Sequence, residues 1–128
     1  MILVDTTVVI DYARGKDAKL VSLLPTLSVA VCGVVRAELL CGARDANHRA
    51  SLLTLLAPFQ QVSIPDSLWD TVGDNMTRLR RKGITVPFPD VVVATLGMEN
   101  DFEVWARDPH FAAMQKHLPG LRLFQEPP

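Results

Sequence analysis

Short apolar runs recur along this chain, and stretches patterned for helices separate them. Ile2-Leu3-Val4 stands at the start; Leu27 to Val31, Gln61 to Ile64, Glu103 to Ala106 and Leu121 to Phe124 follow. Helical patterning covers Val8 to Arg14, Lys19 to Leu24, Val34 to Ala43, Asn47 to Leu56, a long stretch through Leu68, Val72, Met76 and Leu79, a run from Asp90 to Met98, and Pro109 to Lys116. Gly15, Pro25, Pro58, Pro65, Gly83, Pro87 and Pro89 punctuate the boundaries. Strands that alternate with helices from end to end predict an α/β fold, a parallel sheet of four to five strands flanked by helices on both faces. The 128 residues, 48% of them hydrophobic, suffice for one domain, 1–128, with a real core.

The formal charge of −1 excludes a global basic field of the kind that drives non-specific nucleic-acid binding. It leaves room for local basic residues at a nucleic-acid site. Met1-Ile-Leu-Val is too short for a signal peptide and no apolar run is long enough for a bilayer, so a cytoplasmic protein with no membrane contact is expected. Cys32 and Cys41 lack a CxxC spacing and sit among apolar residues, which reads as two small buried hydrophobes without a disulfide. His48, His110 and His117 show no zinc-type pattern.

Four acids stand out. Asp5 and Asp108 each end an apolar run, and in a parallel sheet ligands bind beyond the carboxyl ends of the strands. Asp90 heads the run Val91, Val92, Val93, Ala94, Leu96 and Met98, a helix apolar on most sides and therefore expected to be buried. Val34, Val35, Ala37 and Cys41 make the expected apolar stripe of their helix, and Glu38, four residues after Val34 and three before Cys41, lies on it. Each acid has a plain alternative: a helix cap for Asp90, a turn for Asp108, a buried ion pair to Arg36 or Arg107 for Glu38. At one rim, however, four carboxylates repel unless cations neutralise them, and oxygen ligands select Mg²⁺ or Mn²⁺. Asp11 reads as a solvated helix position. Arg78, Arg80, Arg81 and Lys82 precede Gly83, which suits either a helix C-terminus or a grip on phosphate.

Four segments, ILVDTTVVIDYARG, VVRAELLCGA, PFPDVVVATLG and WARDPHF, together resemble the PIN-domain family, in particular the VapC-type toxin ribonucleases of toxin–antitoxin pairs. The resemblance covers nearly the whole chain. It implies that Asp5, Glu38, Asp90 and Asp108 are the metal-binding acids, that Thr7 is their supporting hydroxyl, and that the reaction is metal-assisted hydrolysis of RNA. It also implies a small antitoxin partner and a homodimer; the helix faces Val8–Tyr12 and Leu52–Leu56 are apolar enough to serve. Arg78, Arg80, Arg81 and Lys82 become candidates for the RNA backbone. Ala106 departs from the family, where many members have Thr or Ser. Two other readings are a non-catalytic binding module of the same fold and a receiver-type signalling domain. The second calls for a lysine at the end of a late strand, where this chain has none.

Overall fold

The computed structural model describes residues 1–128. The strands are β1 (Ile2–Val4), β2 (Val29–Cys32), β3 (Gln60–Val62), β4 (Glu103–Trp105) and β5 (Arg122–Leu123). The helices are α1 (Thr6–Arg14), α2 (Ala18–Leu23), α3 (Gly33–Cys41), α4 (Ala46–Leu56), α5 (Leu68–Arg81), α6 (Phe88–Glu99) and α7 (His110–Gln115), with a 3₁₀ turn at Leu24–Thr26. All strand pairs are parallel, in the order β3-β2-β1-β4-β5. The expected α/β architecture is therefore present, with most element ends within a residue or two of their sequence-read positions.

Neighbouring residues on a strand point to opposite faces of a sheet. Leu3 and Val4 are both fully buried, as are Ala30, Val31 and Cys32, so helices cover both faces of the central strands. The core gathers Trp105, Phe111, Leu20, Leu56, Leu96 and Met114 around them. Helix α6 is buried without a break from Asp90 to Gly97, which accounts for its lack of a polar face. Its approach to β4 is tight: a Cβ on Gly97 would come 2.5 Å from Val104 Cγ2.

The chain builds β1, β2 and β3 outward in one direction, then crosses back to place β4 beside β1. That reversal opens a crevice beyond the ends of β1 and β4, where open α/β sheets bind ligands. The two helices of the return path run in the same direction. Trp69 of α5 stacks on Phe88 of α6 with ring centroids 6.5 Å apart, and Asn75 Nδ2 donates to Thr95 Oγ1 at 3.0 Å. Between them the segment 82–87 doubles back along α5, its Ile84 N–H bonded to Leu79 O at 2.9 Å. Both helices consequently begin at the crevice edge and end at the opposite one.

The apolar stripe expected on α3, Val34, Val35, Ala37 and Cys41, is only in part its buried one. Val35 faces the core, together with Leu39, and Val34 is half-buried, whereas Ala37, Glu38 and Cys41 are exposed. Apolar residues occupy both sides of this helix, so periodicity alone did not fix its inward face. Cys41 is thus a surface thiol, while Cys32 is buried as expected.

Candidate active site

Parallel pairing of β1 with β4 sets the first two acids side by side. Val4 pairs with Trp105, and the Asp5 N–H donates to Trp105 O at 2.8 Å. Asp5 is the N-cap of α1: its carboxylate accepts from Thr7 N at 3.3 Å and Thr7 Oγ1 at 2.9 Å. The cap is thus the acid itself. The Thr7 hydroxyl in turn accepts from Arg107 N at 3.0 Å, tying Asp5 to the segment after β4 that carries Asp108. Asp90, in the first turn of α6, enters from the third side.

The cluster contains a residue that the sequence did not mark. His110 Nδ1 lies 2.8 Å from Asp90 Oδ2 and 3.5 Å from Asp108 Oδ1, and the His110 backbone N–H donates to Asp108 Oδ1 at 2.9 Å. One ligand atom each from Asp90, Asp108 and His110 fall within 4.8 Å of one another. The only trace of this in the sequence is that His110 follows Asp108 by two residues in WARDPHF.

Glu38 is held differently. Its Oε1 accepts from Thr6 Oγ1 at 2.7 Å, at the solvent-facing side of the α1–α3 contact. It has no buried arginine partner, so the ion pair to Arg36 or Arg107 is absent. Arg107 is committed elsewhere, to Asp11 at 3.0 Å, Asp17 at 2.9 Å and Glu126 at 2.6 Å. Asp11 is accordingly an ion-pair partner and not a solvated position. Glu126 also accepts from Trp105 Nε1 at 3.0 Å, which fastens the C-terminal segment over the end of β4.

The electrostatics of the cluster are those of acids forced together. Asp90, only 8% exposed, is pushed up to about 6, chiefly by burial and then by the charges of Asp5 and Asp108; the contact with His110 opposes the shift. Burial likewise raises Asp5, against the hydrogen bonds from Thr7, and the charge of Asp108 adds to the rise. Such a set stores repulsion that a divalent cation relieves. Its carboxylate oxygens fit Mg²⁺, and the imidazole nitrogen extends the fit to Mn²⁺.

The four basic residues of α5 are not brought to this cluster. Asp90 lies at the start of α6, level with the start of α5, whereas Arg78, Arg80 and Arg81 sit in the last turn of α5 and Lys82 caps it. At about 1.5 Å rise per residue they lie roughly 15–20 Å down the helix from the crevice edge. They also diverge: Arg78, Arg81 and Lys82 line one cleft with Asp74 and Thr77, while Arg80 lines another with Met76 and Ile84.

A fold of this order with acids at its switch point defines a class of α/β proteins, and comparison with known proteins gives the family. The family model of the PIN domain matches residues 2–117, and the chain belongs to the PIN-domain family. Among curated proteins it is 33% identical over 107 residues to Ribonuclease VapC10 of Mycobacterium tuberculosis, covering 81% of this chain and 80% of that one. Among solved structures it superposes on VapBC2 from Rickettsia felis bound to a DNA fragment from its promoter, with a TM-score of 0.84 at 18% identity over 97% of this chain and 98% of that chain. VapBC-5 from Mycobacterium tuberculosis, a member of the VapBC family of toxin–antitoxin systems, gives 0.70 at 20% identity over 96% of each chain.

Proposed function

We propose that this chain is a divalent-metal-dependent endoribonuclease, the toxin of a toxin–antitoxin pair. The observation that carries the reading is the convergence of Asp5, Asp90 and Asp108 at the β1–β4 switch point, with Asp90 pushed up to about 6 by burial and by its neighbours. The similarity to Ribonuclease VapC10 supports the activity, and the similarity to VapBC assemblies supports a protein antitoxin.

In this reading Asp5, Asp90 and Asp108 hold Mg²⁺ or Mn²⁺, with Glu38 beside Asp5 on the solvent side. When bound, the ion supplies neutralising charge at the scissile phosphate and a more acidic water. The chain's own residues do the arranging. Thr7 fixes the Asp5 carboxylate by two hydrogen bonds and is itself fixed by Arg107 N. His110 holds one oxygen of Asp90, leaving the other free for a ligand. Glu38 offers a carboxylate oxygen within reach of solvent, able to accept a proton from water. Ala106 contributes no hydroxyl here, and the Thr7 bond to the adjacent Arg107 N–H orders this segment in its stead.

The partners of this reading are an RNA substrate, a small cognate antitoxin and a second copy of the chain. Of the apolar faces Val8–Tyr12 and Leu52–Leu56, Val8, Val9, Leu52 and Leu56 are buried in this chain's own packing, while Ile10, Tyr12, Leu53 and Leu55 are half-buried and remain for a second copy. Further exposed apolar surface lies at Trp69 and Phe88, 42% and 51% exposed. Arg78, Arg80, Arg81 and Lys82 enter the reading as a remote contact for a long RNA.

Incubation of the purified chain with total RNA in Mg²⁺, Mn²⁺ or EDTA, followed by mapping of new ends, tests the activity. New ends are expected with metal and none in EDTA or with Asp90→Asn. Equal cleavage in EDTA would end the metal reading.

A further inference from the structure

His110 is the first residue of α7, and Asp108 lies two residues before it with only Pro109 between. Pro109, at φ −77° and ψ −9°, folds the chain there, and the His110 N–H donates to Asp108 Oδ1 at 2.9 Å. One turn thereby carries both an imidazole and a carboxylate to Asp90 of α6. His110 Nδ1 lies 2.8 Å from Asp90 Oδ2 and 3.5 Å from Asp108 Oδ1. Nε2 has no hydrogen-bond partner within the chain, and the side chain is 40% exposed.

In a neutral imidazole one ring nitrogen carries the hydrogen and the other a lone pair. With the hydrogen on Nε2, toward solvent, the Nδ1 lone pair meets two carboxylates, and only a proton or a cation between them makes that arrangement favourable. The spacings suit a cation. Donor atoms about 2.0–2.2 Å from one ion stand roughly 2.8–3.6 Å apart at octahedral or tetrahedral angles. Both separations from Nδ1 fall in that range, and one donor atom from each of Asp90, Asp108 and His110 lies within 4.8 Å of the other two. Two carboxylates balance a divalent charge, and the neutral imidazole adds a donor without adding charge. We propose that His110 Nδ1 is itself a metal ligand beside Asp90 and Asp108, so that the site takes a nitrogen-binding ion such as Mn²⁺, Co²⁺ or Zn²⁺ in preference to Mg²⁺. Mg²⁺ keeps to oxygen ligands and water, whereas imidazole suits the transition ions. This rests on the metal-site reading above and names the class of ion. In the metal-free chain the contact between Nδ1 and Asp90 Oδ2 is a hydrogen bond, and the ion takes the place of its proton.

Metal binding by the whole chain, read without RNA, tests this. In a chain isotope-labelled at its histidine nitrogens, Zn²⁺ should shift the NMR resonance of His110 Nδ1 while Nε2 keeps its hydrogen, and saturating Mg²⁺ should shift it far less. Calorimetric titration should place Co²⁺ and Zn²⁺ above Mg²⁺ in affinity. His110→Asn sets an amide near the position of Nδ1, which can still donate to Asp90 but offers no nitrogen lone pair. It should cost Co²⁺ about 10-fold or more in affinity, as even groups that only orient a ligand do, and leave Mg²⁺ within about 2-fold. If His110 only holds Asp90 in place, asparagine serves as well and every affinity stays. That outcome overturns the proposal, as does an equal loss for Mg²⁺ and Co²⁺ or an Nδ1 resonance indifferent to Zn²⁺. The parent NMR titration needs no variant and decides the matter should His110→Asn fold poorly. The ribonuclease reading fails separately. An ion on His110 with no RNA cleaved in any metal leaves the metal site and removes the enzyme, whereas cleavage in Mg²⁺ with no ion ever on His110 leaves the enzyme and removes the ligand.

Discussion

Protonation of Asp90 couples to folding within the mildly acid range. It is pushed from 3.8 up to about 6 in the folded chain, so between those values the native state keeps a proton that the unfolded chain has released. Stability therefore falls as pH rises through that window and levels off above it, by on the order of 2–3 kcal/mol at most from this group. Asp17 and Glu126 act in the opposite sense. Their acidities are strengthened, Asp17 first by the Leu20 N–H and Glu126 first by Arg107, so what they contribute is lost as pH falls below the ordinary carboxylate range. The metal-free protein should thus melt highest at mildly acid pH, and Mg²⁺ should raise the melting temperature more at about pH 7 than at about pH 5. Equal metal shifts at both would mean that the ion is not displacing a proton from this cluster. Asp5→Asn offers a second measurement. Asparagine caps a helix as well as aspartate does, so α1 should start unchanged while one repelling charge is gone. We expect the metal-free variant to be at least as stable as the parent, with Mn²⁺ binding weakened and RNA cleavage lost; a drop of several kcal/mol would show that Asp5 serves structure. Asp5, Asp90 and Asp108 were legible because strand ends and a helix head can be read from local pattern. His110 was not, because its partner Asp90 is 20 residues away and only the packing of α7 on α6 joins them.

At the scale of elements, α6 shows what local pattern determines and what it leaves open. Its apolar run announced burial, and it is buried on all sides. Nothing in that run announced that Gly97 must be glycine, since the requirement comes from Val104 on a strand seven residues away. Val104 is fully buried and β-branched, so it cannot turn aside easily. Gly97→Ala should therefore destabilise by about 1–3 kcal/mol despite the better helix propensity of alanine. Thr95→Val tests the other contact of the helix. Thr95 Oγ1 accepts from Asn75 and donates to Val91 O at 2.7 Å, so valine leaves a buried amide unsatisfied at a cost of about 1–3 kcal/mol. Urea melts of both variants measure these costs, and a Gly97→Ala chain more stable than the parent would show that β4 can yield. The partly misassigned face of α3 belongs to the same scale. Val35 lies on the expected stripe and is buried, but Ala37 and Cys41 satisfy a helical period as well as Leu39 does, and only the sheet beneath chooses between them.

At the scale of the whole molecule, the path of the chain separates two charged regions that lie close together in sequence. Lys82 and Asp90 are eight residues apart. Because the chain turns at Lys82 and Gly83 and segment 84–87 runs back along α5, they end at opposite edges of the sheet; no local signal distinguishes that course from a tight helical hairpin. The consequence for RNA can be measured. A short single-stranded oligonucleotide that occupies only the acid cluster should have the same KM, and the same dependence on salt, when Arg78, Arg80, Arg81 and Lys82 are all changed to Ala. A long RNA able to reach the far edge should instead lose up to about 0.7 in its log–log salt slope for each cation that had met a phosphate. If the short substrate weakens as well, the cations that matter must come from a second copy, with the basic edge of one chain facing the acids of the other. Mixing decides that case. An Asp90→Asn chain combined with the four-fold Ala chain would form dimers in which one acid cluster and one basic edge meet intact, so activity on the short substrate should return. If the mixture stays inactive on that substrate, the basic edge contributes nothing across a dimer, and its loss acted through the fold.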